Sequence, residues 1–262
     1  MKFEIADDFL TIGRTFAEYR RMFDLEAGDV AGAELLDCGG GAGAFTATAA
    51  ELADSAVAID PIFGRSPADL EPELEAAIEY NVEQLREKRD LFVWDFYGDV
   101  ETRGRYLRAA AERFLADYAT HPERYVAGAL PELTLADDSV DLALVSNLLF
   151  LYDDRLDGAF HEAALRELVR VAREEVRVFP LHSLDRTRSA YVDPVADALR
   201  ADGHAVEFRE VPYEFQPGAT EMVCIAPAHT DYCKTSRDRP HDCVRSTRYT
   251  LASNPYHATP SG

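Results

Sequence analysis

The stretch Leu35-Leu36-Asp37-Cys38-Gly39-Gly40-Gly41-Ala42-Gly43-Ala44-Phe45 decides how this chain is read. It opens as an apolar strand, turns through glycines and runs into residues suited to start a helix. Glycines at 39, 41 and 43 allow positive φ and let the backbone approach a ligand closely. The helix that follows presents free N–H groups in its first turn. Asp37 places a carboxylate at the end of the strand, two residues before Gly39. A glycine turn with a preceding acid suits a nucleoside-type cofactor that carries a cationic amino-acid tail.

A glycine turn alone is a weak signal, because many such turns only reverse the chain. Here the flanking sequence agrees with a binding role. Val57-Ala58-Ile59-Asp60 is a short apolar run ending in an acid, 21 residues after Gly39. That spacing predicts a second strand whose terminal carboxylate accepts from ribose hydroxyls, with Pro61 beside it. Between the two runs, Ala44 to Leu52 is alanine-rich and favours helix. Strand, glycine turn, helix, strand and acid therefore follow in order. Cys38, inside the turn, reads as a small packing residue rather than a nucleophile.

Downstream the same alternation continues. The segment 61–124 is predicted to be a helical insert, with helices over 66–89 and 103–118. Ser66 is the cap and Pro67 takes the first helical position. The aromatic run Leu91-Phe92-Val93-Trp94-Asp95-Phe96-Tyr97 joins them, either as the insert's own small core or as pocket lining. Arg124 to Gly128 is a predicted strand, and Asp137 to Asn147 reads as a turn followed by a continuous apolar strand of the buried parallel kind. A helix over 161–173 with Leu165, Leu168, Val169 and Ala172 on one face precedes a strand over 174–181. A helix over 192–201 follows, closed by Gly203. Residues 206–215 and 220–226 form a hairpin-like return around Gln216-Pro217-Gly218.

The ends have a different character. Residues 1–33 form a helical cap in which Phe16, Tyr19, Met22 and Phe23 recur at helical spacing. Its apolar stripe is core-facing, and Arg14 or Tyr19 are candidates to reach a ligand carboxylate. Residues 228–262 read as a polar, disordered tail. His229, Cys233, His241 and Cys243 lie there, but their spacing matches no common zinc pattern, so no metal is assigned.

Composition bounds the function. The 262 residues suffice for one sizeable domain, here 34–227. Net charge is -21, from 48 acids against 27 bases, and only Lys2, Lys88 and Lys234 are lysine. Such a surface repels itself in dilute buffer and is screened by molar salt, which points to a halophile. It also argues against general nucleic-acid binding, which needs a basic surface. No apolar run is long enough to cross a membrane, and the start lacks an apolar signal segment, so a cytoplasmic location is expected.

Alternating strands and helices imply an α/β fold with a mostly parallel central sheet flanked by helices and a C-terminal antiparallel hairpin. That combination resembles the class I, Rossmann-like, S-adenosylmethionine-dependent methyltransferases, from about Glu34 to Ala226. Asp37-Cys38-Gly39-Gly40-Gly41-Ala42-Gly43 looks like the family's first motif. Asp60 stands where its ribose-binding acid ends the second strand. Leu133 to Val145 looks like its approach to the fourth strand. Residues 16–23, 150–152 and 178–181 resemble a poorly characterised microbial, haloarchaeal branch that brings no substrate with it.

The resemblance implies that Asp37, Cys38, Gly39, Gly40, Gly41, Gly43, Asp60, Pro61, Ala129, Leu130, Ser146 and Asn147 hold S-adenosylmethionine. It implies methyl transfer to a small-molecule acceptor. Ala129 departs from the family, which often has an adenine-binding acid there, so adenine would rest on backbone around Gly128 to Leu130. Asn147 is followed by Leu148-Leu149, not by the Pro-Pro-aromatic of enzymes acting on nucleobase amino groups. Tyr152, His161 and His182 are candidate bases, none preferred. Two other readings stand beside this one. A nicotinamide-dependent reductase fits Gly39-x-Gly41-x-x-Ala44 and Asp60, but the chain has no Tyr-x-x-x-Lys pair. A non-catalytic cofactor-binding module is the third.

Overall fold

The computed structural model describes residues 9–228, so Met1 to Asp8 and the candidate ligands of 229–262 lie outside it. Local sequence sets the first elements. Thr15 caps α1 (Phe16–Met22) through a capping box with Glu18, and a short α2 (Ala27–Val30) follows. The chain then enters β1 (Glu34–Cys38), turns through the glycines into α3 (Phe45–Ala49) and returns in β2 (Ser55–Ile59).

The insert is a pair of long helices, α4 (Pro67–Glu87) and α5 (Val100–Thr120). Ser66 caps the first, with Pro67 at its start, and Asp99 caps the second. Their apolar faces close on each other and on Phe63 and Tyr125. The remaining elements are β3 (Tyr125–Val126), β4 (Val140–Ser146), α6 (Gly158–Val171), β5 (Ala172–Phe179), α7 (Val192–Ala201), β6 (Ala205–Glu210) and β7 (Glu221–Ala226).

Among the described residues seven strands form one sheet in the order β3-β2-β1-β4-β5-β7-β6. The first five run parallel, and β7 pairs antiparallel with both β5 and β6. This is the expected mostly parallel, Rossmann-like sheet with a C-terminal antiparallel pair. The register places Cys38 beside Ile59, and Ser146 beside Phe179. The carboxyl ends of four strands therefore share one rim, where ligands bind in open α/β sheets.

The C-terminal hairpin differs from the expected one. Its strands end at Glu210 and begin again at Glu221, leaving 211–220 as a loop. Pro212 and Pro217 have no N–H to give a ladder, so pairing ends at the bond from the Val211 N–H to the Thr220 carbonyl, 2.8 Å. The loop instead crosses to the insert, where the Val93 N–H donates to the Phe215 carbonyl at 2.9 Å. No helix among the described residues is long and apolar enough to cross a membrane.

Candidate functional site

The shared rim opens into a cavity of about 730 Å³. Residues 9–14, the insert and the 211–220 loop close over it. Cys38, Gly39, Gly40, Gly41, Asp60, Pro61, Ala129, Leu130, Ser146 and Asn147 all line it. The expected site residues from four separate strand ends thus converge, while Asp37 and Gly43 lie outside the lining.

The glycine turn is built by two different constraints. Gly39 and Gly41 have φ of 71° and 50°, where a side chain is strained. Gly43, expected to share that property, does not. A Cβ on Gly43 would stand 2.8 Å from the Gly40 carbonyl oxygen, and one on Gly40 would stand 2.8 Å from Asp37 Oδ2. Both positions are closed to side chains by crowding. The Gly39 N–H donates to the Ile59 carbonyl at 2.8 Å, and the Gly41 N–H donates to Asp60 Oδ2 at 3.0 Å. These bonds tie the turn to the end of β2.

Asp60 is half-buried at the rim. Its Oδ1 accepts from the Ile62 N–H at 3.1 Å, which caps the turn Pro61–Gly64. Burial raises its pKa, while the Ile62 and Gly41 N–H groups pull it back down. The carboxylate is fixed by two backbone donors and keeps lone pairs for ligand hydroxyls.

Asp37 takes a different role from the expected one. It is 1% exposed, and the Tyr19 hydroxyl donates to its Oδ1 at 2.8 Å. Burial pushes its pKa up to about 7 despite that bond. The carboxylate lies beneath the glycine turn and fastens α1 to it, so it does not reach into the cavity. Tyr19 does line the cavity, as does Arg14. Cys38 is buried and its thiol pKa is raised by that burial, which keeps it a packing residue.

At the end of β4, Asn147 takes φ of 55°, donates its N–H to the Phe179 carbonyl at 2.8 Å and its Nδ2–H to Ser146 Oγ at 2.8 Å. Both side chains are oriented at the rim before any ligand arrives. A Cβ on Gly128 would meet Ile59 Cγ2 at 3.0 Å, so the backbone leading into Ala129 and Leu130 passes close to the end of β2.

The candidate bases separate. Tyr152 lines the cavity, and its hydroxyl accepts from the Leu10 N–H at 3.3 Å. His161 does not line it. Its Nε2 accepts from the Phe150 N–H at 3.0 Å, which requires the ring proton on Nδ1, 2.7 Å from the Asp157 carbonyl. Both nitrogens are committed and burial lowers its pKa, so His161 is a strut between α6 and the 148–152 turn. His182 also lies outside the lining. The aromatic run divides too. Phe92 faces the cavity, Trp94 donates Nε1–H to the Arg89 carbonyl at 2.9 Å and packs on Phe215, and Tyr97 is buried behind them.

A buried ionic cluster escaped the sequence reading. Glu18 is fully buried, with Arg14 Nε at 3.6 Å and an Arg103 terminal nitrogen at 3.9 Å from its Oε1. The Tyr97 hydroxyl donates to the same oxygen at 2.5 Å and contacts the Tyr213 hydroxyl at 2.7 Å. Burial is the largest influence on Arg14 and works against its charge, but Glu18 together with Tyr97, Tyr213 and Tyr19 outweighs it, and the pKa is raised. One signal was available. Arg103 falls on the apolar stripe of α5, in step with Val100, Leu107 and Phe114, where a charge has to find a partner.

No family model matches the chain. An uncharacterized protein of Methanocaldococcus jannaschii is 27% identical over 226 residues, covering 86% of this chain and 99% of its own. That relative brings no support for a haloarchaeal branch. Among solved structures, the N-methyltransferase NodS of Bradyrhizobium japonicum has a TM-score of 0.45 at 14% identity, over 81% of this chain and 97% of NodS. The 1,6-didemethyltoxoflavin-N1-methyltransferase of Burkholderia thailandensis has a TM-score of 0.45 at 17% identity, over 80% of this chain and 77% of that one. At these values neither likeness says anything about the reaction.

Proposed function

We propose that this chain is an S-adenosylmethionine-dependent methyltransferase acting on a small molecule. The observation that carries the reading is the bond between the Gly41 N–H and Asp60 Oδ2 at 3.0 Å, at the mouth of the 730 Å³ cavity. It joins a glycine turn that excludes side chains to an oriented carboxylate. The oriented carboxylate is the acceptor that ribose hydroxyls require, and the turn leaves room for the cofactor to lie against backbone. The volume suits a nucleoside cofactor with a small acceptor beside it. When bound, S-adenosylmethionine supplies a sulfonium methyl that passes to the acceptor's nucleophile and leaves S-adenosylhomocysteine.

The chain's own part is binding, orientation and exclusion of water. Asp60 takes the ribose hydroxyls, and the turn at Gly39 to Gly41 lets the cofactor lie against backbone. Gly128 to Leu130 offers backbone groups to the base. Arg14 reaches the carboxylate of the amino-acid tail. Ser146 and Asn147 face the reacting centre. Residues 9–14 and the 211–220 loop keep bulk water out.

Calorimetric titration with S-adenosylhomocysteine tests this. The folded protein should bind in the micromolar range, and Asp60→Ala should weaken binding at least ~10-fold, about 1.4 kcal/mol. A folded wild type that binds none overturns the reading. The titration belongs in molar KCl, because we read the charge of -21 as an adaptation to salt. Screening of that charge should raise the melting temperature by about 10 °C between 0.1 and 2 M KCl. An unchanged or lower melting temperature contradicts the adaptation.

A further inference from the structure

The rim of the cavity has two wings. On the reading above, the cofactor lies over the ends of β1, β2 and β3, with its reacting methyl at Ser146 and Asn147. The loops that follow β4 and β5 then bound the space left for the acceptor. That wing is apolar, lined by Phe9, Leu148, Leu151, Leu156, Phe160 and Leu184. One charged residue lines it with them: Arg186, from the loop 180–188 that follows β5.

The backbone of Arg186 is held in a strained state. Its φ is 69°, the left-handed region where glycine is at ease and a long side chain is not. The loop enforces it. The Arg186 N–H donates to the Ser183 carbonyl at 3.0 Å, the Ser183 N–H to the Thr187 carbonyl at 2.9 Å, and the Leu184 N–H to the Leu151 carbonyl at 3.0 Å. Asp185, the adjacent acid, accepts from the Ser183 hydroxyl at 2.5 Å and from the Thr187 N–H at 3.0 Å. Strained residues that their surroundings over-determine are characteristic of ligand clamps. The half-buried guanidinium of Arg186 has no ion pair, hydrogen bond or ring contact among the described residues. Arg188, two residues on, is paired with Glu221 at 2.8 Å and Asp193 at 3.4 Å.

The other charges of the lining are committed elsewhere. Arg103 shares Glu18 with Arg14, and Arg14 is given to the cofactor's carboxylate. Glu73 is bound by Arg65. Asp60 holds the ribose, and the cofactor's sulfonium offsets its charge. The end of β2 that carries Asp60 lies three strand spacings from β5, about 14 Å. Among the described residues no carboxylate lines the wing of β4 and β5.

We infer that Arg186 selects the acceptor, a small molecule with an apolar body and one carboxylate or phosphate that the Arg186 guanidinium receives. An unpaired guanidinium accepts either oxyanion through charge-assisted, bidentate bonds. This names the substrate class and rests on the methyltransferase reading.

The test is calorimetric titration of the protein saturated with S-adenosylhomocysteine. The probes are phenylacetate and phenyl phosphate, their neutral counterparts phenylacetamide and phenol, and the cation benzylamine. At least one anion should bind about 10-fold more tightly than its neutral counterpart, and benzylamine should bind more weakly than either. Which anion gains distinguishes carboxylate from phosphate. Arg186→Gly should erase the preference, leave affinity for S-adenosylhomocysteine within about two-fold and melt no lower than the wild type, because glycine relieves the positive φ. Arg186→Gln, which removes the charge and keeps a side chain at that φ, should lose the preference too, and it keeps the test open if glycine loosens the loop. Arg186→Lys should retain part of it. Equal binding of anions and neutral probes by the wild type overturns the inference. A preference that survives in Arg186→Gly and Arg186→Gln also overturns it, because another group then holds the anion. So does a loss of S-adenosylhomocysteine as large as the loss of the anion in both variants, because Arg186 would then belong to the cofactor site. A wild type that does not bind S-adenosylhomocysteine defeats the underlying reading instead. The same probe titrations on the unliganded protein then decide the Arg186 subsite separately.

Discussion

Gly13→Ala is expected to destabilise the protein by about 3 kcal/mol, the upper range for forced overpacking. It should also weaken S-adenosylhomocysteine binding by roughly 100-fold, about 2.7 kcal/mol. A Cβ on Gly13 would stand 1.9 Å from the Ala42 carbonyl oxygen, 2.2 Å from its carbon and 2.6 Å from the Gly43 nitrogen. All three are backbone atoms, so no side chain can swing aside. The next residue is already tied to the same turn, because the Ala44 N–H donates to the Arg14 carbonyl at 2.9 Å. Relief has to come by lifting residues 9–14 away, and these residues line the cavity. Urea denaturation and calorimetric titration measure the two effects. Gly28→Ala is the control, since a Cβ there meets nothing within 4 Å. Gly28 lies inside α2, so alanine should be neutral or slightly stabilising. Equal behaviour of the two variants would mean that the N-terminal segment does not sit against the turn.

Glu18→Ala is expected to cost about 3–5 kcal/mol, the range for removing one partner of a buried ion pair. The loss is of more than one kind. Arg14 and Arg103 would face each other with no carboxylate between them, and the donors of Thr15 and Tyr97 would lose their acceptor. Glu18→Gln keeps an acceptor and should lose less. Adding Arg103→Met to Glu18→Ala should recover part of the stability, because one uncompensated buried charge disappears. Denaturant unfolding of the single and double variants reads that coupling directly. Strict additivity would show that the two side chains do not interact.

The parts of the site that sequence made legible are local ones. The glycine turn and Asp60 sit at the ends of adjacent strands, and parallel pairing of β1 with β2 joins them. Spacing along the chain carries that information because strand, turn, helix and strand have nearly fixed lengths. Pro212 and Pro217 were equally visible, and their missing N–H groups account for the hairpin that stops at Glu210. The strand expected over 206–215 therefore ends ahead of Pro212.

Other roles were invisible for a physical reason. Asp37 looks like a ligand-facing acid until Tyr19, 18 residues earlier, is seen to donate to it. His161 looks like a base until the Phe150 N–H and the Asp157 carbonyl occupy both its nitrogens. Tyr97 meets Glu18 across 79 residues and Tyr213 across 116. Motif spacing does not encode such meetings, because they depend on how the insert and the 211–220 loop pack over the rim. By itself, the sequence determined the sheet, the glycine turn and the acid at position 60, all products of short-range backbone geometry. Only the tertiary structure decided that Asp37 is a buried fastener and that Glu18 lies buried between Arg14 and Arg103. Whether a polar side chain is satisfied or left open depends on partners that only packing brings within reach.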